Sequence, residues 1–209
     1  MEAELERIVE LLSEKKWPFR LHATYDESIE RFLNVFERVN AKQPFQTRFI
    51  IDHAETISER NIERIGAMGG GIAIQHRMAF QGEFFIQRYG KEAAANTPPI
   101  KRMLELGVPV GAGTDATRVA SYNPWVCLYW LTTGKTLGGV SLYDERNLID
   151  RETALALWSK GSAWLSGEQA VKGALVEGEY ADLAGLSDDY FQVEPENIQW
   201  IESVFTVLG

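Results

Sequence analysis

The chain is poor in the residues that most often carry metal and redox chemistry: its 209 residues include one cysteine and three histidines. A single thiol forms no internal disulfide, and the apolar neighbours of Cys127, Val126 and Leu128, predict a buried core position for it. Long apolar runs are missing as well. None approaches the roughly 20 residues that a membrane-spanning helix requires, so no membrane association is expected. Basic charge is scarce: 21 Lys and Arg against 30 Asp and Glu leave a net charge of −9. Phosphate backbones need a basic face, so a nucleic-acid partner is not expected either. The opening Met1-Glu2-Ala3-Glu4-Leu5-Glu6 is acidic and helical in pattern, the wrong chemistry for a signal peptide, which points to a soluble protein of cytoplasmic type. Apolar residues at 45% suffice for the core of one domain, or of one domain with a small appendage.

What histidine there is falls in a pattern. His22 closes the run Phe19-Arg20-Leu21, His53 closes Phe49-Ile50-Ile51-Asp52, and His76 closes Gly71-Ile72-Ala73-Ile74-Gln75. A fourth run, Val108 to Thr114, is closed by Asp115. Short apolar runs separated by helical patterns read as buried parallel strands. The carboxyl ends of such strands share one rim, and in α/β folds that rim is where ligands bind. Two imidazoles and a carboxylate converging there form the ligand set of a divalent metal hydrolase.

Between these runs the pattern is helical. Ile29, Phe32, Leu33, Phe36 and Val39 form one apolar face, and Ser58 is placed to cap a helix carrying Ile62, Ile65 and Met68. The triplet Gly69-Gly70-Gly71 follows that helix and reads as a C-cap and tight turn, not as a phosphate cradle. Met78 to Asn96 reads as a longer excursion carrying Phe80, Phe84, Phe85 and Tyr89. Helices are expected from Ile100 to Leu106, from Val126 to Thr133 and from Arg151 to Leu165, with short strands at Tyr180–Leu186 and Ser203–Leu208. Four consecutive strand–helix units are half of an eightfold barrel, with the helices expected on one outer face and two sheet edges left open.

Four segments carry a family resemblance. Leu21-His22-Ala23-Thr24-Tyr25-Asp26 is similar to the His-Ala-x-Gly-Asp that follows the fifth barrel strand in the family 3 branch of the amidohydrolase superfamily, the branch that includes N-substituted formamide deformylases. Ile51-Asp52-His53-Ala54 is similar to its Ile-Glu-His-Ala, and Gly113-Thr114-Asp115-Ala116 to its Gly-Ser-Asp-Ala. Lys172 to Leu183 resembles the Lys-Gly-Ser-Ile-x-x-Gly-x-x-Ala-Asp-Leu segment that returns the chain to a β-sandwich. Tyr25 and Asp52 depart from the branch's glycine and glutamate, and the His-x-His of its first strand is missing here. The resemblance implies an α/β fold: the C-terminal half of a metal-dependent-hydrolase (β/α)8 TIM barrel, strands five to eight, over residues 1–168, and a partial β-sandwich over 169–209.

It also implies a chemistry. His22, His53 and Asp115 would be metal ligands for a divalent ion, zinc first among the candidates, with one or two ions in the intact enzyme. Asp115 would in addition be the general base, and His76 and Arg118 would meet a small amide or formamide substrate at a non-peptide C–N bond. His76 and Arg118 read equally well as a rim residue and a solvated one. Asp26 and Asp52 fit better as residues that hold neighbours or cap helices, and the Trp125, Tyr129 and Trp130 stripe as core. The opposing expectation is an inactive fragment or accessory domain that acts through self-association, as a homo-oligomer or by pairing with a missing N-terminal half.

Overall fold

A computed structural model describes residues 2–118 and 120–209. Helix α1 (Glu2–Glu14) leads into β1 (Phe19–Ala23), followed by α2 (Asp26–Lys42), β2 (Phe49–His53), α3 (Glu59–Ala67) and β3 (Gly71–Gln75). Three helices come next, α4 (Arg77–Tyr89), α5 (Lys91–Ala95) and α6 (Ile100–Glu105), then β4 (Val110–Gly113) and α7 (Pro124–Thr133). Helix α8 (Arg151–Ala156) runs through a π-helical turn at Leu157–Gly161 into α9 (Ser162–Ser166). The chain closes with β5 (Leu183–Leu186), a 3-10 turn at Pro195–Trp200 and β6 (Ser203–Val207).

The first four strands form one parallel sheet in sequence order, and β5 and β6 pair antiparallel in a separate ribbon. Local chemistry sets the boundaries. The Ser58 hydroxyl accepts from the Asn61 amide at 3.4 Å and the Asn123 carboxamide from Trp125 at 2.9 Å, so both helices begin on a capped turn. Pro124 at the first position of α7 needs no hydrogen-bond partner for a missing N–H, and Gly134, with φ 64°, ends that helix in the left-handed region. The segment expected as an excursion is helical. Its aromatic residues do not share one face: Phe84 is 71% exposed, while the small Ala79 and Gly82 are buried, so no apolar period was there to read.

Strand register divides the sheet into two faces. Phe19, Leu21, Phe49, Ile51, Ile72, Ile74, Val110 and Ala112 share one face, where the buried residues join Ile29, Leu33, Phe36, Ile62 and Ile65 of the covering helices in one core. At its base Phe19, Phe36, Phe45 and Phe49 meet with ring centroids 5.0 to 6.4 Å apart. Each such side chain contributes about 1.5–3 kcal/mol on burial. Arg20, His22, Ile50, Asp52, Gly71, Ala73, Gln75, Gly111 and Gly113 share the opposite face.

That second face departs from expectation, because helices are not confined to one side. A Cβ on Gly71 would run into the Trp164 indole at 2.5 Å, and one on Gly111 into Leu165 at 2.5 Å, so α9 lies on the polar face over β3 and β4. The Ile72 amide donates to the Pro109 carbonyl, which in a parallel ladder leaves the Val110 and Ala112 carbonyls pointing away from β3. The Ser162 hydroxyl donates to the Ala112 carbonyl at 2.9 Å, and Gly161 packs against Val110. The β4 edge, expected to be open, is therefore covered by its own chain, whereas β1 has no second strand partner among the described residues.

The close seat of this helix can be tested. A Cβ on Gly161 would stand 2.2 Å from the Val110 carbonyl oxygen, a backbone atom that cannot rotate aside. Gly161→Ala is expected to lower unfolding free energy by about 2–3 kcal/mol, the cost of overpacking a tight contact. Urea unfolding measures it, and a change below about 0.5 kcal/mol, ordinary for a surface substitution, would mean the helix does not seat on β4.

Candidate active site at the carboxyl rim of the sheet

Parallel alternation alone would not bring His22 and His53 together. His22 ends β1 on the polar face, but His53 follows Ile51 by two residues and so belongs by parity to the apolar one. The backbone resolves this: His53 and the following Ala54 have φ of 81° and 49°, a left-handed turn that L-residues rarely adopt. The two imidazoles then meet edge to face with ring centroids 4.4 Å apart. Asp115, two residues past β4, also has a left-handed φ of 50°. Strained backbone of this kind, costing on the order of 1–3 kcal/mol per residue, concentrates at functional sites.

Between the polar face and α9 lies a cavity of about 260 Å³, with Arg20, Asp52, His53, Gln75 and Asp115 in its wall. Burial, and after it the neighbouring His22, hold the His53 imidazole below its ordinary pKa, while Asp115 and Asp52 pull the other way. The net direction favours neutral imidazole, the ligating form. Across the same face Arg20 clamps Asp52, its Nη2 and Nε at 2.6 and 3.1 Å from Oδ1. Asp26 accepts from the Ser58 amide at 2.7 Å and the Asn61 carboxamide at 2.8 Å, tying the start of α2 to the start of α3. Both aspartates thus hold neighbours.

The expected three-ligand set is not assembled. Among the described residues no three His, Cys, Asp or Glu side chains stand close enough to hold one ion between them. His22 and His53 are brought together, but Asp115 is exposed in the loop after β4, where strand register no longer fixes its position. Arg118 is exposed further along that loop. His76 needs a larger correction. It is 0% exposed, in the core beside Phe80 at 5.4 Å, because it follows β3 directly and starts α4 instead of facing the rim. It approaches the Gly113 backbone, yet neither ring nitrogen makes a well-formed hydrogen bond.

Two polar residues passed over in the sequence complete the cavity's back wall. Glu55, two positions after His53, is buried and accepts from the Gln75 Nε2 at 3.1 Å, with an Arg77 nitrogen 3.9 Å away. Burial raises the Glu55 carboxyl above its usual pKa, opposed by Arg77 and His22. The signal for this pair is slight: a glutamine ending an otherwise apolar strand, and a glutamate just past a strand end. Cys127 is buried on α7 with its thiol pushed up to about 12 by burial, and Tyr129 and Trp130 are core, as expected.

Burial lowers the His76 imidazole from 6.5 to about 4, which gives a pH test. The folded state disfavours the proton, so the unfolded chain binds more protons between those values and stability rises with pH. A contribution of about 2–3 kcal/mol is complete above pH 6.5 and lost progressively as the pH falls toward 4. In urea titrations across that range, the difference between the wild-type chain and His76→Met should carry this slope. Parallel pH profiles would mean the imidazole titrates normally.

Comparison with known proteins follows from this geometry. The family described as "Amidohydrolase family" matches residues 1–209. The Bacillus subtilis (strain 168) protein named "Putative amidohydrolase YtcJ" is 27% identical over 209 residues, covering 98% of this chain and 39% of that protein. An uncharacterized metal-dependent hydrolase from Pyrococcus horikoshii OT3 superposes with a TM-score of 0.76 at 23% identity, over 93% of this chain and 38% of the other. An amidohydrolase from Thermotoga maritima MSB8 gives 0.66 at 16% identity, over 97% and 44%. These two likenesses speak to the fold, and the chain spans about two fifths of the curated relative's length. With the family match running along the whole of it, the chain belongs to the amidohydrolase family.

Proposed function

We propose that this chain is the C-terminal half of a metal-dependent hydrolase of the formamide-deformylase branch, acting on a non-peptide C–N bond of an amide or formamide. In this reading β1 to β4 are strands five to eight of a (β/α)8 barrel, and the residues after 168 are part of a flanking β-sandwich. The reading rests chiefly on one observation: two imidazoles edge to face, 4.4 Å apart, on adjacent parallel strand ends that a left-handed backbone turn brings together. Neutral nitrogen donors so placed fit a divalent cation, with zinc the leading choice for imidazole and carboxylate ligands. They make up part of a ligand set, and the remainder would come from the first half of the barrel. When bound, the cation supplies Lewis acidity toward water and the substrate carbonyl.

The chain's own residues do the rest. His22 and His53 hold the cation, their ring orientation supported by the Arg20–Asp52 clamp beside them. The Asp115 carboxylate, in the cavity wall, takes the proton from the attacking water and returns it to the departing amine. Arg118 in the same loop is placed to meet the substrate. The uncovered β1 edge and the exposed Arg20 and His22 beside it await a partner surface, either the N-terminal half or a second copy. No helix is long and apolar enough to cross a membrane, which suits a cytoplasmic enzyme.

The isolated chain is expected to show little hydrolysis of amides or formamides. Mixing it with a polypeptide carrying the first four βα units should restore turnover, and Asp115→Asn should reduce that turnover by about 100-fold or more, the usual weight of a general base. Calorimetric titration of zinc into the assembled protein supplies a second measure, with His22→Ala and His53→Ala each weakening binding at least about 10-fold. Robust turnover by the isolated monomer would overturn the half-enzyme reading.

A further inference from the structure

Gln75 is 5% exposed, at the last position of β3 and in the wall of the cavity that holds His53 and Asp115. Its carboxamide has two donors on nitrogen and one oxygen acceptor. The nitrogen is committed to Glu55 at 3.1 Å, and reversing the amide would set oxygen against carboxylate oxygen. The orientation is therefore fixed by its neighbour, and the Oε1 atom is left as a buried acceptor with no donor.

An unmet buried acceptor costs about 1–3 kcal/mol, so the site gains if an incoming group donates to it. The rest of the cavity offers no spare donor of the right kind. Asp52 and Asp115 carry acceptors, the Arg20 guanidinium is engaged by Asp52, and the Ser162 hydroxyl is spent on the Ala112 carbonyl. The donor has to arrive with the ligand. A cavity of about 260 Å³ admits a group of a few heavy atoms, the size of an amide and its immediate substituents.

We propose that Gln75, held by Glu55, is a recognition residue whose Oε1 accepts a hydrogen bond from the N–H of the scissile amide. The inference rests on the amide-hydrolase reading and narrows it: the substrate class is primary or secondary amides, and tertiary amides, which lack the N–H, are rejected. A site built around such a hydrogen bond discriminates strongly against the analogue without the donor. Glu55 acts as a positioning residue, since it touches the glutamine and not the substrate.

The test compares N-methylacetamide with N,N-dimethylacetamide by protein-observed NMR titration of the full 209-residue chain. The wild-type chain should bind the N–H amide about fivefold or more tightly, the weight of one net hydrogen bond. In Gln75→Met the ratio should fall to about one. Glu55→Gln, nearly isosteric, keeps the decision open if the first variant does not fold: its own carboxamide can donate to the Gln75 Oε1, and the preference should again collapse. A wild-type ratio near one, or a preference unchanged in a folded variant, overturns the role of Gln75 and leaves the hydrolase reading standing. Failure of both amides to bind the wild-type chain removes the proposal together with the amide reading.

Discussion

The rim depends on the opposite job done by every second residue of the strands. Side chains alternate across a sheet, so the layer of Phe19, Ile51, Ile72 and Val110 that packs on α2 and α3 commits the intervening positions to the other face. A slip of one residue in any strand would expose its apolar set and bury its polar one. The register is therefore held by core burial, and with it the positions of Arg20, His22, Asp52 and Gln75. The site is placed by groups that take no part in it.

Much of this was legible in the chain, for identifiable reasons. Strands marked by branched residues and closed by histidine, the Ser58 and Asn123 caps and the glycine stops are local signals, and the parallel sheet follows from them. The illegible parts are tertiary. Nothing local says that α9 crosses to the polar face, because that depends on the absence of a side chain at Gly71 and Gly111, far away in sequence. The Glu55–Gln75 contact joins residues 20 apart, each unremarkable alone. His76 was misplaced because a histidine after a strand looks the same whether the next turn faces the rim or the core.

The left-handed residues show why a motif and a site are different things. The segment Ile51-Asp52-His53-Ala54 announces an imidazole near the end of β2, but strand geometry by itself points that imidazole at the helices. Two consecutive positive φ values redirect it. They are maintained only because the surroundings over-determine them: Ala54 is fully buried, and its amide donates to the Ala23 carbonyl at 3.0 Å. The small side chain of Ala54 matters here, since a branched residue would meet a much steeper penalty in the same conformation.

Because the strands lie in the order of the sequence, each of β2, β3 and β4 pairs with the strand made just before it. A chain emerging from the ribosome at roughly 5–20 residues per second can then add one strand and its helix at a time, without holding a hydrophobic strand free for a distant partner. Loop-closure entropy is met in small instalments, which favours rapid assembly over aggregation for a parallel sheet. The β4 edge ends this growth when Ser162 and Gly161 close over it. Growth in the other direction has no such stop, and β1 is left as the surface on which earlier-synthesised polypeptide would already be waiting.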